Sequence, residues 1–166
     1  TAYTKRSCDN LAHMARILGK DKDAQHYAAL SEKIQAAYDK YMIGPDGTIQ
    51  PGHQAAYIRA LALDMVSDEK KPLVIAQLKK ELEAADYHLN TGFLSTPDLC
   101  RVLAENGHAD TAYRLLLQED CPSWLYAVKK GATTIWETWD GVRADGSVHD
   151  SLNHYSYGAI TGWLFS

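Results

Sequence analysis

Cysteine is scarce in this 166-residue chain: Cys8, Cys100 and Cys121 are the only three. Their odd number and long, unrelated spacings exclude a disulfide framework and a Cys-x-x-Cys metal motif, so they read as small buried hydrophobes. No apolar run approaches the roughly 18–20 residues of a membrane span, and the chain reads as soluble, with no membrane partner. Positive charge is in deficit: 17 Lys and Arg against 21 Asp and Glu leave a net charge of −4. The basic residues are scattered, which argues against nucleic acid as a partner. Phosphate-cradling loops of the G-x-G-x-x-G and G-x-x-x-x-G-K-[ST] types are missing, as is the G-x-S-x-G nucleophile elbow, so no cofactor is implied. Segments rich in β-formers are missing too.

Histidine is present seven times, but His13, His26, His53, His88, His108 and His149 show no metal-ligand spacing. His149 and His154 flank Asp150 five positions apart, outside the i,i+4 pairing that one helix face provides, and no metal site is read there.

What remains is helical periodicity. Cys8, Leu11, Met14, Ala15 and Leu18 recur at spacings of three and four and predict one apolar helix face, closed by Gly19. Asp21 offers an N-cap for a second helix, with Ala24, Tyr27, Ala28, Ser31, Ile34, Ala37, Tyr38 and Tyr41 inward, ended by the turn Gly44-Pro45-Asp46-Gly47. A third helix is predicted over about 53–65 with Tyr57, Ala60, Leu61 and Met65 inward. A fourth covers about 69–86, with Pro72 in its first turn and Leu78 and Leu82 on its stripe. Thr96 as cap, Pro97 at the first position and Gly107 at the end bracket a fifth, and a sixth runs over about 108–118 with Ala112, Leu115 and Leu116 inward. Short connections make antiparallel neighbours, so the class is all-α, built from stacked helical hairpins. No repeat at a fixed period is read along the chain.

Composition shifts over 119–153. Thr133, Thr134, Trp136, Glu137 and Trp139 fall within ten residues, and Asp140, Asp145 and Asp150 follow with no helical period. A seventh helix is predicted in His154–Phe165, with Gly158 and Gly162 permitting close packing. An irregular stretch of this length inside a helical domain is the usual place for function. Glu137 stands between two indoles. Such a carboxylate is partly desolvated and becomes a better base, while the indole faces suit the C–H face of a sugar ring. Asn153, His154, Tyr155 and Tyr157 form a second group suited to hydroxyl recognition. Two other readings compete: a glycan-binding module without catalysis, and a helical scaffold in which Trp136 and Trp139 are core.

The runs PSWLYAVKKGATTIWETWDG and SLNHYSYGAITGWLF, with NTGFLSTPDLCRVLAENGHADTAYRLLLQEDC and QAAYIRALALDM upstream, resemble the α-L-rhamnosidases of glycoside hydrolase family 78. The resemblance covers nearly the whole chain. It implies an (α/α)6 toroid and hydrolysis of terminal α-L-rhamnosyl linkages with inversion. The family's general base falls on Glu137 and a sugar-contacting histidine on His154, with Trp136 and Trp139 as the neighbouring aromatic wall. Other six-hairpin glycosidases share the architecture and are the alternative within enzymes. The family's general acid belongs to a motif upstream of anything found here, and seven helices fall short of the ring's twelve. The chain opens at Thr1 inside a helical pattern, with no leader-like segment. Residues 1–166 are therefore expected to be the C-terminal portion of one catalytic domain, about half of a toroid, inactive alone. Its substrate partner would be a rhamnose-containing glycoside. Its open wall is expected to favour self-association or pairing with the rest of the ring.

Overall fold

A computed structural model describes all residues, 1–166. The periodic segments form α1 (Ala2–Ile17), α2 (Asp21–Tyr41), α3 (Gln54–Ala62), α4 (Lys71–Ala84), α5 (Thr96–Glu105) and α6 (Ala109–Leu116). A short α7 (Trp124–Lys129) follows, and the C-terminal segment is a 3₁₀ turn (Ser156–Ala159) running into α8 (Ile160–Leu164). The chain is all-α. Apart from helices it holds only two isolated antiparallel bridges, Ile43 with Ile49 and Val142 with Val148.

α1 pairs with α2, α3 with α4 and α5 with α6, each across a short turn. α3 also packs on α5, and α5 on the C-terminal segment, so alternate elements share one layer and their partners lie behind them. Ile58, Met65, Val74, Leu78, Leu82, Leu99, Leu103 and Leu115 are fully buried at the junction. Each such side chain contributes about 1.5–3 kcal/mol by leaving water. Gly19 and Gly107 close α1 and α5 in the left-handed region, at φ +66° and +83°, as their C′ positions require.

The structure corrects several local expectations. In α1 the buried residues are Lys5, Cys8, Ala12 and Ala15, while Leu11, Met14 and Leu18 are exposed. Small side chains let α1 and α2 approach closely, so α2 takes the Cys/Ala side of the stripe and leaves its large residues uncovered. Ala37 and Tyr41 of α2 are likewise exposed. Thr96 does not cap α5; Ser95 holds that position, and the Thr96 hydroxyl bonds the loop before it, at Gly92 O (3.0 Å). α7 was not anticipated, although its cap is local: Ser123 Oγ accepts from Tyr126 N–H at 3.1 Å.

Connections inside each hairpin are short, whereas those between hairpins are longer and meet at one end. Gln54, at the start of α3, donates to His88 O (2.9 Å) and accepts from Asn90 N–H (2.9 Å). Asp39 joins α2 to the α3–α4 turn, accepting from Ser67 N–H (3.1 Å) and pairing with Lys70 Nζ (3.1 Å). Burial pushes the Asp39 carboxyl up, but Ser67 and Lys70 together outweigh it and hold it below the ordinary range. A lowered carboxyl stabilises the fold above the ordinary carboxylate range, and that stability is lost as pH falls through the lowered value.

A short repeat also emerges. Ile43-Gly44-Pro45-Asp46-Gly47-Thr48-Ile49 and Val142-Arg143-Ala144-Asp145-Gly146-Ser147-Val148 share the pattern [IV]-x-x-Asp-Gly-[ST]-[IV] and the same turn. In each, the aspartate Oδ1 accepts from the hydroxyl residue two positions on: Thr48 N–H and Oγ1 at 3.1 and 2.7 Å, Ser147 N–H and Oγ at 2.9 and 2.7 Å. Gly47 and Gly146 take φ of +85° and +81°. They differ in surroundings. A Cβ on Gly47 would lie 2.5 Å from the Leu73 carbonyl carbon, whereas one on Gly146 meets nothing within 4 Å. Gly146→Ala should therefore cost only the left-handed penalty of about 1–2 kcal/mol. Gly47→Ala should cost a further ~1–3 kcal/mol of overpacking. Denaturant unfolding of both variants measures the difference, and equal losses would mean that the Leu73 contact yields without cost.

Candidate active site

The segment after α7 has no helical period because it is built by contacts distant in sequence. Trp136 is 5% exposed and lies against Gly141, where an added Cβ would stand 3.1 Å from the indole. Trp139 is anchored on both sides. Its ring stacks on Tyr157 at 3.8 Å and meets Trp124 edge-on at 5.3 Å. Its Nε1–H donates to Thr91 O at 2.9 Å, and Trp124 Nε1–H donates to Tyr157 O at 2.9 Å. These contacts fasten the segment to the 85–95 loop and to the C-terminal turn.

Residues 134–137 then run beside 151–154. Glu137 N–H donates to Ser151 O at 2.9 Å, and His154 N–H donates to Ile135 O at 2.7 Å. The Thr134 hydroxyl donates to Leu152 O. Ser151 N–H donates back to Glu137 Oε2 at 3.1 Å. The carboxylate is thereby fixed by a main-chain donor, with Oε1 left for solvent or ligand. His154 lies on the same neighbouring segment. Its Nδ1 accepts from Ser156 N–H at 3.3 Å, and its ring stacks on Tyr155 and approaches Phe93 at 6.3 Å. Tyr155 is 85% exposed, and Phe93 is exposed as well. The Tyr157 hydroxyl is pushed up by burial and further by the charge of Glu137.

Sequence reasoning paired Glu137 with two indoles, and the structure separates their duties. Trp136, Trp139, Trp124 and Tyr157 line a cavity of about 240 Å³ together with Thr138, whose hydroxyl is buried without a partner. Glu137 and His154 are not among its walls. Trp139 lines this cavity while its ring stacks on Tyr157, meets Trp124 edge-on and donates to Thr91 O, contacts that hold the segment carrying Glu137. Nothing in the sequence singles out Ser151 or Thr91, because their roles run through main-chain atoms that no local pattern marks, while Tyr157, grouped with His154 on sequence, packs against Trp139 and accepts from Trp124 through its carbonyl.

His149 also takes a place of its own. It does not share a site with His154. Its Nδ1 lies 2.8 Å from Asp150 Oδ2 and its Nε2 lies 3.0 Å from Asp140 Oδ1. The Asp150 bond raises the imidazole above the ordinary histidine value; desolvation opposes this, Asp140 reinforces it and Arg143 opposes it. Burial pushes Asp140 up, but His149 and Arg143 outweigh that and hold it below the carboxylate range. No group of three or more His, Cys, Asp or Glu side chains is placed to hold a metal ion, and no helix is long and apolar enough to cross a membrane.

Paired helices laid side by side, with a main-chain-held carboxylate on an aromatic-backed loop, make a helical-hairpin domain. Residues 1–166 match the family described as bacterial alpha-L-rhamnosidase 6 hairpin glycosidase domain. The chain belongs to that family. It is 41% identical over its whole length to an alpha-L-rhamnosidase of Streptomyces avermitilis and 40% identical over 99% of its length to one of Formosa agariphila. The S. avermitilis enzyme has been solved in complex with L-rhamnose, and the present fold superposes on it over 99% of the chain with a TM-score of 0.93. An Aspergillus terreus alpha-L-rhamnosidase, 33% identical, superposes over 98% with a TM-score of 0.91. The chain spans 16%, 18% and 20% of the lengths of these three proteins respectively.

Proposed function

We propose that residues 1–166 are the C-terminal portion of the catalytic domain of an inverting α-L-rhamnosidase and carry its general base, Glu137. Water held at the free Oε1 gives up a proton to Glu137 and attacks the anomeric carbon of a terminal α-L-rhamnosyl residue. A carboxylic acid elsewhere in the full-length protein protonates the departing oxygen, as inversion requires of a pair about 6.5–9.5 Å apart. His154 holds ring hydroxyls. Trp136 and Trp139 form the aromatic wall behind the carboxylate and keep it in place. The observation that carries this reading is the Ser151 N–H bond to Glu137 Oε2, at 3.1 Å, which aims the carboxylate from the segment that also presents His154.

The test is hydrolysis of p-nitrophenyl α-L-rhamnopyranoside by the full-length protein, followed by NMR of the first-formed sugar. The β-anomer of L-rhamnose is expected first. Release of the α-anomer first would overturn inversion. L-rhamnose binding without turnover would instead favour a glycan-binding module.

The isolated 166 residues should show no turnover and should self-associate. Leu11, Met14 and Ile17 on α1, Leu18 just after it, and Leu164 and Phe165 beyond the 3₁₀ turn are all exposed, and apolar patches of this kind drive association. Size-exclusion chromatography of the isolated chain checks this, and a monodisperse monomer would count against it.

A further inference from the structure

The proposed base is held by its neighbour Ser151, and Ser151 is itself held by something. The residue before it, Asp150, stands at φ +55°, a backbone state that non-glycine side chains adopt only at a cost and that persists where surroundings enforce it. That twist lets both main-chain groups of Ser151 face residue 137, donating to Oε2 and accepting from Glu137 N–H. The enforcing group is visible. The imidazole of His149 bridges the Asp150 carboxylate at 2.8 Å and the Asp140 carboxylate at 3.0 Å, with the Asp140 carbonyl at 3.1 Å from Nε2. His149 N–H also donates to Gly141 O at 3.1 Å. Asp140 lies three residues after Glu137 and Asp150 one residue before Ser151, so a single ring closes the loop at the point where its two strands reach the carboxylate.

We propose that His149 is a positioning residue that locks the 140–150 loop and, through Asp150 and Ser151, aims the Glu137 carboxylate at the attacking water. The inference rests on Glu137 being the general base. With Nδ1 and Nε2 each facing a carboxylate, the doubly protonated ring satisfies both at once. The raised imidazole keeps that form to higher pH than a free histidine would. Without the ring, Asp150 loses its partner and Asp140 keeps only Arg143, at 3.5 Å, so the left-handed twist loses its support and Ser151 N–H drifts from Oε2. Geometry errors of this size at a reacting group cost rate rather than affinity.

The experiment uses the full-length protein and p-nitrophenyl α-L-rhamnopyranoside, with circular dichroism confirming that each variant is folded. His149→Ala is expected to lower kcat about tenfold or more while KM stays within twofold. His149→Gln, which keeps a donor and the side-chain length, should recover much of the loss, and His149→Leu, which fills the space without a donor, replaces the alanine variant if that one does not fold. In a Glu137→Gln background His149→Ala should cost nothing further, because its route to the chemistry has already been removed. If Glu137→Gln loses turnover but the folded His149 variant without a donor keeps wild-type kcat, the positioning role is overturned and the base assignment stands. An undiminished additional loss from His149→Ala in the Glu137→Gln background would also overturn it, by showing a role independent of residue 137. If Glu137→Gln itself turns over normally, the base reading fails first.

Discussion

Glu137→Gln in the full-length enzyme is expected to lower kcat by about 10²–10⁴-fold, the range that a positioned proton-transfer group supplies. The substitution is chosen to keep everything else. A glutamine Oε1 can still accept from Ser151 N–H, now 3.1 Å from a carboxylate oxygen, so the clamp and the local backbone survive. What disappears is the group able to take a proton from water. L-rhamnose affinity, measured by calorimetry, should stay within a few-fold of wild type, because the proposed base would meet the water rather than the sugar's hydroxyls. A variant retaining near-normal turnover would remove Glu137 from the mechanism. His154→Ala should behave oppositely, raising KM more than it lowers kcat, if its imidazole holds ring hydroxyls.

Trp139→Ala should be the most damaging change to stability, about 3–5 kcal/mol by the usual cost of deleting a packed indole. Three contacts are lost together. The stack on Tyr157 at 3.8 Å and the edge contact with Trp124 at 5.3 Å vanish, and Thr91 O loses its donor at 2.9 Å. Trp139→Phe separates the terms: it keeps much of the apolar contact and should cost about 1–3 kcal/mol, mainly for the orphaned carbonyl. Denaturant unfolding reads both. A loss below about 1 kcal/mol for Trp139→Ala would show that the ring is a replaceable ligand-facing surface rather than a pin for the catalytic segment. Activity is expected to fall with either change, since Trp139 ties the Glu137 segment to the 85–95 loop.

How much of this was legible beforehand differs from element to element. α3 and α4 follow the stripes Tyr57, Ala60, Leu61 and Leu78, Leu82, all buried, because a helix central to the fold is covered along its apolar face. α1 failed the same reasoning, as Leu11 and Met14 face outward. Its stripe is wide enough for two partners, and α2 covers only the side lined by small residues. α7 escaped because six residues are too few to show a period. The final helix was placed correctly but begins as a 3₁₀ turn. The turn shared by residues 43–49 and 142–148 is too short to make a repeat of whole helices, although its Asp-Gly-[ST] pattern is written openly in the chain.

By itself the sequence determined the class and the family: helical periodicity, caps and turn residues are local properties, and the runs around Glu137 and His154 carry their resemblance without any fold. It also singled out Glu137 as the candidate base. Only the tertiary structure decided what that carboxylate touches. The bond from Ser151, the ring of His149 between Asp140 and Asp150, and the indole pinned beneath Thr91 join residues 14, 9 and 48 positions apart. A segment without periodicity has no local rule that sets its path. Its contacts exist only because helices far along the chain bring the loop ends together.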